Sequence, residues 1–178
     1  VCFNASKTIA DTIRSALSQK DVDLEYLIID GHSKDNTCEV IRQTLSELQT
    51  TKQVKFVSEP DKGMYDALNK GTSLATGDVV GLLNSDDVFE DDFALSRIVS
   101  FFDSKTDAIY GDIRFVRGES NETTRYYSGK QWRPWMARWG FMPPHPSVYI
   151  RREFFDKLGK KASETYQVTK EKTVKFSE

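Results

Sequence analysis

The sequence predicts an α/β protein with a doubly wound, mixed central sheet and helices on both faces. Two patterns predict it. Short runs rich in Ile, Leu and Val alternate with stretches whose apolar residues recur every three to four positions. Strands alternating with helices argue for right-handed crossovers and a largely parallel sheet. The second pattern lies where strands stop. Asp30, Ser58-Glu59-Pro60-Asp61 and Asn84-Ser85-Asp86-Asp87 each follow an apolar run. Ligands of open α/β sheets bind beyond the carboxyl ends of the strands. Adjacent carboxylates repel and are costly to desolvate, so an acidic rim points to a divalent cation.

The elements follow in order. Val1-Cys2-Phe3 reads as the tail of a strand; with no initiator Met, the visible chain is expected to begin inside a longer one. Residues 6–19 place Ile9, Ile13, Ala16 and Leu17 on one helix face, with Ser6 as the expected cap. "LEYLIID", 24–30, reads as a buried strand, and "GHSKDNT" as a loop of turn formers. Residues 37–49 return to helical spacing through Val40, Ile41, Leu45 and Leu48, with Asp35 as the cap. "VKFVS", 54–58, alternates as a strand. Residues 63–75 form the next helix, with Gly71 and Gly77 read as helix ends. "DVVGLLN" is a strand, 91–103 a helix started by Asp91 and Asp92, and "DAIYGD" and "TTRYYS" are strands of a mixed sheet.

Composition narrows the class. The 178 residues fit one domain, and 38% hydrophobic with 29% charged content places the chain among globular proteins. No apolar run approaches the roughly 18 residues of a membrane span, and the opening residues are not expected to act as a leader. Cys2 and Cys38 lie outside any CxxC or HxxC pattern, so a reducing, cytoplasmic setting is expected. The sequons at Asn4 and Asn121 then carry no meaning. A pI of about 5.8 argues against a nucleic-acid reader. Charge is unevenly spread: residues 1–124 hold 13 Lys/Arg against 22 Asp/Glu, and residues 125–160 hold 8 against 2. Two different surfaces are expected.

The segments "YLIIDGHSKDNT", "SEPDKGMYDALNKGTSLATGDVVGLLNSDD" and "HPSVYIRREFFDKLG" resemble a family 2 glycosyltransferase of the Rossmann-like GT-A fold. The resemblance covers about residues 1–160. It implies one glycosyltransferase domain over 1–178, with a nucleotide-binding half over about 1–112, an acceptor-side half over about 113–160 and a tail beyond. It implies inverting transfer of a sugar from a nucleotide diphosphate donor, with UDP the first choice. The acceptor would be a glycan or a lipid-linked acceptor in polysaccharide biosynthesis of a bacterial cell envelope. A bridging Mg2+ or Mn2+ suits a departing diphosphate, and such ions favour carboxylate oxygens.

Residue by residue, Asp86 and Asp87 match the acidic metal and ribose motif. The family often has Asp-x-Asp there; this chain has Asn84-Ser85-Asp86. The loss of one charge makes a modest metal affinity, or a ribose role for Asn84, the expectation. Asp30 matches the position that holds the nucleobase; its alternative is a turn residue. Asp61, Gly63, Tyr65 and Asp66 form the second donor loop, with Gly63 allowing close backbone approach. Asn69 joins them, although Asp66 and Asn69 also fit a solvated helix face. His145 in "PPHPS" reads either as a structural loop residue or, by the resemblance, as a contact to a phosphate or the acceptor. The family's general base follows "KLG"; this chain departs there, and a loose alignment through Tyr166 and Val168 assigns it to Glu171, the alternative being a residue beyond 178.

Two other classes compete. A nucleotidyltransferase would want a Gly-rich basic loop near the N-terminus, and "NASKTIADT" has no glycine. A non-catalytic nucleotide-sugar binder is separated by turnover. Trp132, Trp135 and Trp139 recur at about helical spacing among basic residues. They read either as a core stripe or as an acceptor wall that touches an anionic membrane, at the inner face of which the protein would then work.

Overall fold

The computed structural model describes residues 1–117 and 122–154. Among the described residues, the four named α-helices and seven strands alternate at first and then give way to strands. Strand β1 (Glu25–Asp30) and β2 (Gln53–Ser58) pair in parallel, from Glu25↔Gln53 to Asp30↔Ser58. Helix α1 (Ile9–Leu17) precedes them, α2 (Thr37–Leu48) connects them and α3 (Met64–Leu74) follows. Strand β3 (Val79–Gly81) pairs antiparallel with β7 (Tyr149–Arg151), which also takes β4 (Ala108–Ile109) on its other side. Helix α4 (Ala94–Ser100) lies between β3 and β4 in the chain. A hairpin of β5 (Ile113–Arg117) and β6 (Glu122–Tyr127) stands apart.

The N-terminal residues join the first two ladders. Cys2 bridges Asp30 in parallel, and the Val1 amino group donates to Leu83 O at 3.3 Å. The expected strand before Ser6 is thus present as a single bridge.

Side-chain alternation along β1 fixes the layers. Ile28 packs with Ile9, Ile13 and Ile41 under α1 and α2. Its neighbour Ile29 points the other way, where Gly71 of α3 sits so close that an added Cβ would stand 3.4 Å from Ile29 Cγ1. Helices therefore cover both faces of β1, as expected.

Several expectations are corrected. Ser6 does not cap α1: the helix begins after Thr8, and Ser6 instead gives its amide to Asp35. Gly71 lies inside α3 rather than at its end, because close packing on β1 requires a small residue there. Strand β3 has three residues, so Leu82 to Asp87 leave the ladder before the acidic motif is reached. An added Cβ on Gly81 would meet the Tyr149 ring, with Cζ at 3.0 Å, so a bare backbone lets β7 lie against it. Helix α4 covers 94–100 only, with the Phe93 amide bonded to Asp91 Oδ1 at 2.8 Å and Arg97 paired with the same carboxylate. Asp92 pairs with Lys20 instead. Asp35 does serve the start of α2, accepting the Thr37 amide at 3.0 Å. That bonding, led by the Thr37 hydroxyl, draws its carboxyl down to about 2.

The tryptophan stripe is split. Trp132 is buried, with Nε1 donating to Phe141 O at 2.7 Å and its ring edge-on to Tyr110 at 5.2 Å. Trp135 and Trp139 are 61% and 75% exposed, so the core reading fails for both. Residues 134–139 form a 3-10 helix, whose three-residue turn eclipses Trp135 with Arg138 rather than with Trp139.

Candidate functional site

Asp30 is wholly buried at the end of β1. Its Oδ1 accepts the Ser33 hydroxyl. Its Oδ2 accepts the Ser58 hydroxyl at 2.7 Å, the Ser33 amide at 3.1 Å and the Cys38 thiol at 3.2 Å. Burial pushes this carboxyl up, but the hydrogen bonds from Ser33, Ser58 and Cys38 outweigh it and hold it below its usual value. The Cys2 thiol lies 3.7 Å from Oδ1 and, by burial first and this carboxylate second, is pushed up to about 12. Asp30 thus keeps its charge while binding the first loop to the ends of two strands.

The first loop is also tied to the N-terminal segment. Asn4 gives its amide to Ser33 Oγ at 2.8 Å and accepts the Lys34 amide at 2.8 Å. His32 sits exposed at φ 64° and takes no part in the acidic rim. Gly31 faces Asp61: an added Cβ would stand 3.1 Å from Asp61 Cγ, so the bare backbone brings the first and second loops together. Asp61 Oδ1 in turn accepts the Gly63 amide at 2.8 Å. Gly63 has φ 114° and open space where a side chain would be, at the entrance to α3. Only glycine takes this conformation without strain. Tyr65 is 65% exposed beside it.

Asp66 accepts the Lys62 amide at 3.1 Å and lies 3.5 Å from Lys70 Nζ, which also reaches Glu59 at 3.1 Å. The Lys62 amide bond leads in drawing the Asp66 carboxyl down. Asp66 therefore serves the local loop, and Asn69 lies exposed on the helix.

The third loop is a tight turn. Asn84 Nδ2 donates to Asp87 Oδ2 at 2.8 Å, and the Asp87 amide to Asn84 O at 3.2 Å. Asp86 is exposed and Asp87 half-buried. Among the described residues, no three His, Cys, Asp or Glu side chains are grouped to hold a metal. Two adjacent carboxylates are still a hard-oxygen donor set. Mg2+ is usually held by one or two carboxylates plus substrate phosphates. The residues fit an ion that arrives with a diphosphate, rather than one caged by protein alone.

His145 is exposed at the head of a 3-10 turn, His145–Ser147. Ser147 Oγ anchors that turn to Gly111 O at 2.9 Å. Asp112, which the sequence did not single out, fixes the neighbouring segment. It accepts the Tyr126 hydroxyl, Ser128 Oγ at 3.0 Å and the Gly129 amide at 2.7 Å. Ser58, marked in the sequence only as a strand end, lies opposite Asp30 in the parallel ladder. Glu171 lies outside the described residues.

The profile of glycosyl transferase family 2 matches residues 1–159. The poly-beta-1,6-N-acetyl-D-glucosamine synthase of Staphylococcus epidermidis is 35% identical over 122 residues, which are 67% of this chain and 28% of that protein. The chain thus spans under a third of this relative's length. Among solved structures, the mannosyltransferase PcManGT of Pyrobaculum calidifontis, in complex with GDP-Man and Mn2+, aligns with a TM-score of 0.67 at 19% identity, over 89% of this chain and 44% of that one. S. aureus TarS 1-349 in complex with UDP-GlcNAc aligns with a TM-score of 0.64 at 16% identity, over 88% and 45%. These likenesses give the chain the GT-A fold.

Proposed function

This chain belongs to glycosyl transferase family 2, and from that premise we propose that it supplies the donor-binding region of an inverting enzyme that moves a sugar from UDP to a polysaccharide or lipid-linked acceptor. The observation that carries the reading is the rim itself. Asp30 and Ser58 end paired strands, Gly31 admits Asp61, and the turn of Asn84 to Asp87 is joined to them through Val1 and Cys2. Support comes from relatives named as polysaccharide synthases and from neighbours holding UDP-GlcNAc or GDP-Man.

Each group then has a task. Asp30 is sealed behind Ser33 and Ser58, so it builds the base pocket and meets a base directly only if Ser33 moves. Gly63 and the exposed Tyr65 leave the second loop open to the donor. Asp86 and Asp87, with Asn84 beside them, would hold Mg2+ or Mn2+, which when bound offsets charge on the departing diphosphate. His145, on a loop anchored at Gly111, faces a phosphate or the acceptor. Glu171 is the assigned base.

Turnover tests this reading. The full-length protein, given UDP-GlcNAc, Mn2+ and an oligosaccharide acceptor, is expected to release UDP and form a product of inverted anomeric configuration. Binding of UDP-GlcNAc without release from any acceptor would favour the non-catalytic binder.

A membrane-borne acceptor is the second element of the proposal. Trp135, Trp139 and Phe141 are exposed, and residues 123–152 contain no Asp or Glu. Among the described residues no helix is long and apolar enough to cross a membrane. Aromatic and basic side chains together suit an anionic bilayer surface. Vesicles rich in anionic lipid are expected to retain more protein than neutral ones at low salt; equal retention would remove the membrane contact.

A further inference from the structure

Helix α1 and the segment just after it carry buried polar groups. Thr12 and Gln19 are only 1% and 2% exposed. Each is spent on the acidic turn or on the chain that follows it. Thr12 Oγ1 donates to the main-chain oxygen of Asp87 at 2.9 Å. Ser15 Oγ accepts the Phe89 amide at 2.8 Å. Gln19 Nε2 donates to Asp91 O at 2.7 Å, and its Oε1 accepts the Leu95 amide at 2.9 Å. The Lys20 amide closes the series on Asp92 O at 2.6 Å.

These contacts answer a need created by the short β3. Residues 82–93 lie in neither strand nor helix, so their backbone groups must find partners elsewhere. Thr12 and Ser15 on α1, and Gln19 two residues beyond its end, supply them. The first contact is the informative one, because it holds the peptide of Asp87 itself. The others act from two to eight residues farther on.

We infer that α1 is a clasp that sets the position of Asp86 and Asp87, with Thr12 the positioning residue for the site that receives the metal-bound diphosphate. The inference rests on the donor-binding role proposed above for those carboxylates. Thr12 touches neither donor nor ion; it acts through the Asp87 carbonyl. Without the hydroxyl, that carbonyl loses its buried partner and the turn can shift. Placement errors well below an ångström matter where oxygen ligands must converge on a small ion.

The test uses UDP as the probe, titrated calorimetrically into the full-length protein with and without Mn2+. Thr12→Val keeps the shape and removes the hydroxyl; it is expected to weaken Mn2+-dependent UDP binding about threefold to tenfold, the worth of one such hydrogen bond. Metal-free UDP binding should stay within about twofold, since the first and second loops are untouched. Thr12→Ser restores the donor and should bind as the wild type does. Ser15→Ala, whose lost contact lies two residues from Asp87, provides a second and milder variant, expected to weaken the same binding about twofold. Gln19→Met should lower the thermal midpoint with little change in the Mn2+ response.

Unchanged Mn2+-dependent binding in both Thr12→Val and Ser15→Ala would overturn the clasp. An equal loss of the Mn2+ response in Gln19→Met would also overturn it, because α1 would then be general scaffolding. Wild-type protein that binds UDP equally with and without Mn2+ would overturn the metal-bound donor reading itself, and the clasp with it.

Discussion

Replacing both Asp86 and Asp87 by alanine is expected to slow sugar transfer by about 10²–10³-fold, the scale on which one group stabilising developing charge is felt. The same double variant should lose the Mn2+ enhancement of UDP binding. Its fold should survive, for a reason visible in the turn. Asp86 is exposed, and Asp87 accepts one side-chain bond, from Asn84 Nδ2 at 2.8 Å. Neither carboxylate holds the core. Adjacent like charges also repel, so their removal offsets part of the loss of that one bond. Stability in denaturant should therefore move by less than about 1 kcal/mol. Binding lost without unfolding is the signature of a site residue. A double variant that still binds UDP more tightly with Mn2+ than without would take these two carboxylates out of the mechanism.

The alternation of helices and strands was legible because its cause is local. Ile9, Ile13 and Ile41 sit where a 3.6-residue period puts them, and all three are buried. Ile28 and Ile29 are likewise buried on the two faces that strand alternation requires. The rim was legible for the same reason: β1 and β2 run in parallel, so Asp30 and Ser58 finish side by side.

What the sequence concealed depends on partners far along the chain. Strand β3 pairs antiparallel with β7, some seventy residues later, and that pairing rather than the apolar run decides where β3 ends. Hydrophobic spacing left Trp135 and Trp139 as either core or acceptor wall, and a 3-10 helix turns them outward beside a buried Trp132. Polar residues on α1 and just after it were passed over because patterning treats them as solvent-facing. Thr12 and Gln19 are buried because a loop from elsewhere needs their hydrogen bonds. The carboxylates of the candidate site were therefore readable, while the groups that place them were not.

Asp30 carries the largest expected stability effect. Alanine at this position should lower the unfolding free energy by about 3 kcal/mol. The side chain is wholly buried, and its removal strands the Ser33 amide and the Cys38 thiol and deprives the Ser33 and Ser58 hydroxyls of their acceptor. Hydrogen bonds to a charged acceptor are each worth about 1.5–3 kcal/mol, but the two hydroxyls can turn toward other acceptors, which leaves about the low end of the two remaining bonds, those of the Ser33 amide and the Cys38 thiol. Asparagine preserves the shape and one acceptor, so Asp30→Asn should cost less than alanine. Acid provides an independent check. The folded carboxyl lies below its usual value, so its contribution is present above that value and disappears as pH falls through the lower, folded one. The stability gap between wild type and Asp30→Asn should accordingly be widest near neutral pH and shrink below about pH 4. Urea unfolding of both proteins across that range measures it. Should Asp30→Ala match the wild type in stability while losing UDP affinity, the carboxylate would be a direct base ligand, and the seal of Ser33 and Ser58 would have to open when the donor binds.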